Sequence, residues 1–229
     1  MSLTLHYHPL SSCSWKLLIA LYENGTPFQA QVVHLGDPAA RGAYATLWPT
    51  AKIPLLVDGE RIVPETSLQI EYLDRRHPGR VRLLPEGFDA QLQVRLWDRL
   101  FDLYVMDPMQ RYIGQLLRPE AQRDVLAMQA SVAALGSAYD MIENRMGAHA
   151  WAAGDDFSLA DCAAAPALFY AAVVLPFPAG HARLAAYFER LLARPSVWRC
   201  IVEARPFFQY YPLKSALPER FLSGEGPKP

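Results

Sequence analysis

Lys52-Ile53-Pro54-Leu55-Leu56-Val57-Asp58-Gly59-Glu60-Arg61-Ile62-Val63-Pro64-Glu65-Thr66-Ser67 decides how the first third of this chain folds. Apolar runs flank Asp58-Gly59 on both sides. That pattern predicts a hairpin turning at Asp-Gly, because both turn positions favour positive φ. Pro64-Glu65-Thr66-Ser67 then opens a helix that runs to about Arg76, whose apolar residues Leu68, Ile70, Tyr72 and Leu73 are compatible with a buried side.

Working backward, Pro38 to Leu47 reads as a weaker helix and Phe28 to Val33 as a strand. Trp15 to Tyr22 is a strong helical stretch, opened by Ser14 as a natural N-cap and ended by Asn24-Gly25. Leu3, Leu5 and Tyr7 alternate with polar residues, as a strand does. The order is β-α-β-α-β-β-α. The crossover makes the first two strands parallel, and the hairpin adds an antiparallel pair.

Working forward, His77-Pro78-Gly79 stops the helix, and residues 78–88 read as a linker. Strand signals vanish beyond it. Asp89 to Leu117 reads as one long helix or two, with Pro108 as the expected kink or break. Helical stretches follow at 119–146, 157–172, 182–193 and 196–203, and the tail from about Arg205 is expected to pack irregularly over the surface. The fold class is therefore α/β plus all-α, with one domain at 1–77, a linker at 78–88 and an all-helical domain at 89–229.

Composition narrows the function. The chain is 52% hydrophobic with a net charge of −1, enough for a large core and no reason to expect nucleic acid or an anionic membrane as partner. Cys162 to Phe177, interrupted by Pro166 and Pro176, is too short for a membrane span and reads as a buried helix. The N-terminus shows no charged leader before an apolar run. Cys13, Cys162 and Cys200 are too sparse for a disulfide framework, and neither they nor the histidines have metal-ligand spacing. A cytoplasmic location and no metal are expected.

Short constellations carry chemistry. Ser11-Ser12-Cys13-Ser14 places hydroxyls and a thiol at a helix N-terminus, where unpaired N–H groups can hold a thiolate. Ile53-Pro54, at a strand entrance, is a position where a cis bond can turn the backbone toward a ligand. Glu65 can accept from an ammonium group while Thr66 offers its hydroxyl and N–H to an anion, a pairing that suits an amino-acid zwitterion. The competing reading is that these residues merely cap the helix and complement its dipole. Ser158 and Asp161 have capping-box spacing before an apolar helix and are assigned to folding.

Taken together, the Ser-containing turn, KIPLLVDGERIVPETSLQIEYL and AGDDFSLADCAAAPAL resemble the cytosolic glutathione S-transferase superfamily across nearly the whole chain. The SSCSW segment resembles the zeta class, and the serine type is similar to the theta class. Lys16-Leu17-Leu18 departs from the Arg-Val-Arg run usual in zeta members. The resemblance implies a thioredoxin-like N-terminal domain, a C-terminal helical bundle, and glutathione as co-substrate. It also implies a small hydrophobic electrophile, a homodimer and a role in detoxification.

By the same resemblance, Ser11 activates the glutathione sulfur, with Ser12 as the alternate and Cys13 able to form a mixed disulfide. Ile53, before Pro54, pairs with the cysteinyl backbone. Glu65 and Thr66 hold the γ-glutamyl end, and Lys52 approaches the glycyl carboxylate. The electrophile is expected among Leu10, Trp15, Tyr104, Met109, Tyr112 and Ile113, although Trp15, Tyr104 and Ile113 also read as ordinary core residues. Asp102 is expected to face a partner subunit. Other readings are a ligand-binding protein without turnover, a glutathione-dependent isomerase or thiol reductase, and an interaction module.

Overall fold

Strand β1 (Leu3–Tyr7) lies inside a sheet of order β2-β1-β3-β4. It runs parallel to β2 (Phe28–Val32), from Leu3↔Phe28 to Tyr7↔Val32. It runs antiparallel to β3 (Leu55–Asp58), with His6 opposite Leu55. β4 (Arg61–Val63) completes the hairpin, with Leu56 opposite Val63. The computed structural model describes residues 3–224 and 226, so the outermost residues of the expected domains lie outside the described residues.

The hairpin forms where expected, but it turns at Gly59-Glu60, with positive φ at Gly59 alone (61°). Asp58 stays in the strand because its carboxylate is taken: Tyr72 Oη and His77 Nε2 both lie 2.8 Å from Oδ2.

This register has a consequence for function. The carboxyl end of β1, the amino end of β3 and the carboxyl end of β4 meet at one end of the sheet. Because β2 is parallel to β1, its carboxyl end arrives there too.

Helix α1 (Ser12–Asn24) starts earlier than expected, since Ser11 rather than Ser14 is the N-cap. Ser14 is buried, and most of α1 is buried all round, as befits a helix enclosed between the sheet and other helices. Helix α2 (Pro38–Leu47) is capped by Asp37, and α3 (Thr66–Arg76) follows the hairpin. Between α3 and the next helix the chain is tied down by side chains: Asn24 Oδ1 accepts from Val81 N at 2.9 Å, and Asp74 Oδ1 from Leu83 N at 3.1 Å. Glycine is required at 79, where an added Cβ would sit 2.3 Å from the Asn24 Cβ.

The helical half begins with α4 (Phe88–Leu100), a π-helical segment (Phe101–Met106) and α5 (Asp107–Leu116). Where a kink or break was expected near Pro108 there is a widened turn: the π segment passes directly into the helix that carries Pro108 in its first turn. Helix α6 (Val125–Arg145) is long and apolar enough to cross a membrane by length and composition. Ser131, Leu135, Ala138, Tyr139 and Ile142 form its single buried face, packed toward α5 and α8.

Helix α7 (Leu159–Val174) runs unbroken through Pro166 and is buried from Leu159 to Ala171. Asp161 anchors its start, accepting from Ser158 N (2.9 Å), Ser158 Oγ (3.0 Å), Ala152 N (2.9 Å) and Tyr187 Oη (2.6 Å). Helices α8 (Ala182–Leu192) and α9 (Pro195–Ala204) follow, and the tail folds into short 3-10 turns and α10 (Glu219–Leu222). The tail is more regular than expected because its aromatic residues enter the core: Phe208 stacks on Phe169 at 6.2 Å, and Phe221 lies 4.9 Å from Phe169.

Candidate active site

Ser11 closes the turn after β1. Its N–H donates to His8 O (2.9 Å), and its hydroxyl oxygen accepts from the Ser14 N–H (3.1 Å). A hydroxyl that accepts from the backbone keeps its own proton to donate outward. Ser11 is half-buried and lines a cavity of about 630 Å3. His8 and Leu10 come from the same turn, residues 33–37 from the β2–α2 connection, Ile53 from the entrance to β3, and Phe207 and Tyr210 from the tail. All but the tail emerge from the sheet end where the strands converge. Volumes of this order suit small-molecule sites.

Ser12 and Cys13 face elsewhere. Gln110 Nε2 of α5 donates to Ser12 Oγ (3.1 Å) and to Cys13 Sγ (3.5 Å). Burial pushes the Cys13 thiol above its usual range, which disfavours a resting thiolate there.

Ile53–Pro54 is a cis bond. Its loop is pinned by buried Gln69, whose Nε2 donates to Pro54 O (3.0 Å) and Val63 O (2.8 Å). One side chain therefore ties the entrance of β3 to the exit of β4. Glu65, just beyond that exit, occupies the N-cap position of α3 in the left-handed region (φ 65°) and makes no side-chain cap bond. A non-glycine residue held there costs of order 1 kcal/mol, and such outliers concentrate at functional sites. Glu65 is exposed, and the first-turn N–H groups of α3, that of Thr66 among them, have no side-chain cap. Lys52 is exposed, and Tyr44 Oη donates to its carbonyl (2.8 Å).

Of the six residues expected around the electrophile, Leu10 lines the cavity. Trp15 is wholly buried, donating from Nε1 to Pro9 O (2.6 Å) and packing on Phe169 and Tyr170, so it supports the turn from behind. Met109 is also buried, and Ile113 packs against the core. Tyr112 lines a separate groove with α6, and Tyr104 is exposed on the π segment. Asp102, expected to face a partner, is engaged within its own chain by Lys16 Nζ at 2.9 Å, because a buried lysine needs carboxylates around it.

The walls missed by the sequence reading are His8, residues 33–37 including His34, Phe207 and Tyr210. The parallel β1–β2 pairing was a usable signal for His34, since it brings the end of β2 beside the end of β1. The aromatic tail carried no spacing signal of its own. Among the described residues, no group of three or more His, Cys, Asp or Glu residues could hold a metal ion.

Comparison with known proteins accords with this geometry. The family models for the glutathione S-transferase N-terminal and C-terminal domains match residues 10–76 and 126–190, together more than half of the chain. A glutathione S-transferase of Silene vulgaris is 26% identical over 208 residues, covering 86% of this chain and 95% of the relative. A probable maleylacetoacetate isomerase of Caenorhabditis elegans is 28% identical over 163 residues, covering 70% of this chain and 75% of that one. The crystal structure of a Methylobacillus flagellatus glutathione S-transferase with glutathione bound superposes with a TM-score of 0.79 at 25% identity, covering 87% of this chain and 98% of that one. This chain belongs to the glutathione S-transferase family.

Proposed function

We propose that the protein is a glutathione transferase in which Ser11 stabilises the thiolate of bound glutathione for attack on a small hydrophobic electrophile. The observation that carries this reading is the position of Ser11: N-cap of α1, half-buried on a cavity wall, with its hydroxyl oxygen already accepting from Ser14 N. A thiol has a reference pKa near 8.5, and lowering it by about two units corresponds to roughly 2.7 kcal/mol. A hydrogen bond to the charged sulfur plus the N-terminal field of α1 supplies stabilisation of that order. Ser12 is the alternate donor.

The rest of glutathione follows the sheet end. Ile53 offers its backbone to the cysteinyl part, Glu65 accepts from the γ-glutamyl ammonium, and Thr66 donates to the γ-glutamyl carboxylate. Lys52 serves the glycyl carboxylate. In this reading the glutathione-binding domain is 1–77, the linker 78–88 and the helical domain 89–229. Leu68 on α3, Phe88, Leu92 and Leu96 at one-turn spacing on α4, and Leu103 on the π segment are exposed apolar side chains, which supports a homodimer. A cytoplasmic, detoxifying role accompanies the activity.

The test is spectroscopic. Bound glutathione is titrated by its thiolate absorbance in wild type and Ser11→Ala. The expected result is a thiolate at neutral pH in wild type and a pKa near the free value in the variant. The proposal fails if both titrate alike, or if Ser12→Ala alone abolishes the shift. Cys13→Ala is expected to leave the thiolate in place; disulfide exchange lost in Cys13→Ala but kept in Ser11→Ala would favour a thiol reductase instead.

A second reading, glutathione-dependent isomerisation, draws on the similarity to the probable maleylacetoacetate isomerase. The same thiolate would add reversibly to a cis double bond and leave after rotation. Cis-to-trans conversion without net loss of glutathione, followed by proton NMR, distinguishes it from conjugation.

A further inference from the structure

His8 has no role in the site as described, yet its ring forms part of the same wall as Ser11. The two are joined by the tight turn in which Ser11 N donates to His8 O at 2.9 Å. Within that turn, Leu10 N–H donates to His8 Nδ1 at 3.1 Å. A ring nitrogen that accepts carries no proton, so the neutral imidazole must bear its hydrogen on Nε2. No acceptor takes that hydrogen among the described residues. The ring packs edge-on against Phe207 at 5.2 Å and His34 at 5.7 Å, both of which line the same cavity. Burial and the neighbouring His34 hold its pKa below the ordinary imidazole value, so the neutral donor form prevails at physiological pH.

We infer that His8 is a specificity-determining residue whose Nε2–H donates a hydrogen bond to an electrophile's oxygen, selecting conjugated carbonyl compounds over halides. This rests on the transferase reading above and names the substrate class for that site. In the step it assists, the thiolate sulfur bonds to the β-carbon while the carbon–carbon π bond breaks. The electron pair moves onto the carbonyl oxygen, giving an enolate. Nε2–H stabilises that oxygen without transferring its proton. The α-carbon then takes from solvent the proton that the thiol released on ionising. A halide displacement places no charge on oxygen and draws nothing from His8. The remaining walls, Leu10, Val33 and Phe207, suit an apolar body.

The experiment compares kcat/KM for an α,β-unsaturated ketone and for an alkyl iodide in wild type, His8→Phe and His8→Gln. His8→Phe keeps the ring and loses the donor; His8→Gln restores an N–H at similar reach. The expected result is that His8→Phe lowers the ketone-to-iodide ratio by about a hundredfold, the scale of losing one oxyanion donor, and that His8→Gln recovers most of it. A loss shared equally by both substrates, or no recovery in His8→Gln, overturns the inference and leaves the transferase reading standing. Turnover of neither substrate by wild type overturns the transferase reading and this inference with it.

Discussion

Lys16 Nζ lies 2.6 Å from Asp98 Oδ1, and both side chains are almost wholly shielded from water. The ammonium also reaches Asp102 and Ser67 at 2.9 Å, while the Ser67 hydroxyl donates to Asp98 at 2.7 Å. The network joins α1, α3, α4 and the π segment. Burial opposes the charge on Lys16, but the two carboxylates more than offset it and hold the ammonium above the usual lysine range. Burial pushes the Asp98 carboxyl upward against the pull of Lys16, so the site tolerates this charge only because its partner is present. Lys16→Met leaves two carboxylates facing each other and is expected to cost about 3–5 kcal/mol. Adding Asp98→Leu is expected to return much of that loss. Denaturant midpoints across the double-mutant cycle read the coupling; additive losses would contradict it.

Gln69 links stability to ligand binding. Replacing it with Leu removes the side-chain donor to the buried carbonyls of Pro54 and Val63 and is expected to cost roughly 1–3 kcal/mol in all. Loosening the Ile53 loop against Glu65 is expected to raise the KM for glutathione several-fold with a smaller change in kcat. A variant that loses stability at unchanged KM would show that Gln69 holds the fold alone.

Asp161 is the folding counterpart. Asp161→Ala removes the acceptor for Ala152 N, Ser158 N, Ser158 Oγ and Tyr187 Oη together, in a fully buried position. The expected loss is about 3–5 kcal/mol, with the glutathione thiolate pKa unchanged in whatever fraction folds. Thermal unfolding and thiolate titration of the same sample separate the two effects.

Asp58 gives a pH signature. Hydrogen bonds from His77, then Tyr72, hold its carboxyl below the usual aspartate range. A depressed folded pKa contributes stability above the unfolded value, near 3.9, and that contribution is lost as pH falls through the folded value. The difference in unfolding free energy between wild type and Asp58→Asn is therefore expected to shrink as pH drops from about 5 toward 2. Its size at neutral pH is about 1 kcal/mol or less, because the cluster is partly exposed. A pH-independent difference would remove Asp58 from the acid response.

The elements were legible because period and punctuation are local. Alternation at Leu3 and Leu5, Gly25 past α1, and the Ser158–Asp161 spacing each report on their own few residues. Displacements arose where a distant partner intervened. The hairpin turn moved by one residue because Tyr72 and His77 hold Asp58, and the kink or break expected at Pro108 took the form of a π turn within continuous helix. The cavity was less legible for the same reason. Helical spacing marks Met109 and Ile113 as facing something, but not whether the neighbour is core or cavity. Phe207 and Tyr210 reach the site through the path of the tail, which no periodicity encodes.

That path divides the molecule's evolutionary freedom. The outer wall is supplied by chain laid down after α9, in a short turn where Phe208 is locked into the interior while Phe207 and Tyr210 look outward. One aromatic therefore acts as an anchor and its neighbours as interchangeable fittings. Sequence change at 210 can retune what enters without disturbing Trp15 or Phe169, and change at 207 does so through His8, so new chemistries are open to this scaffold at little risk to its folding.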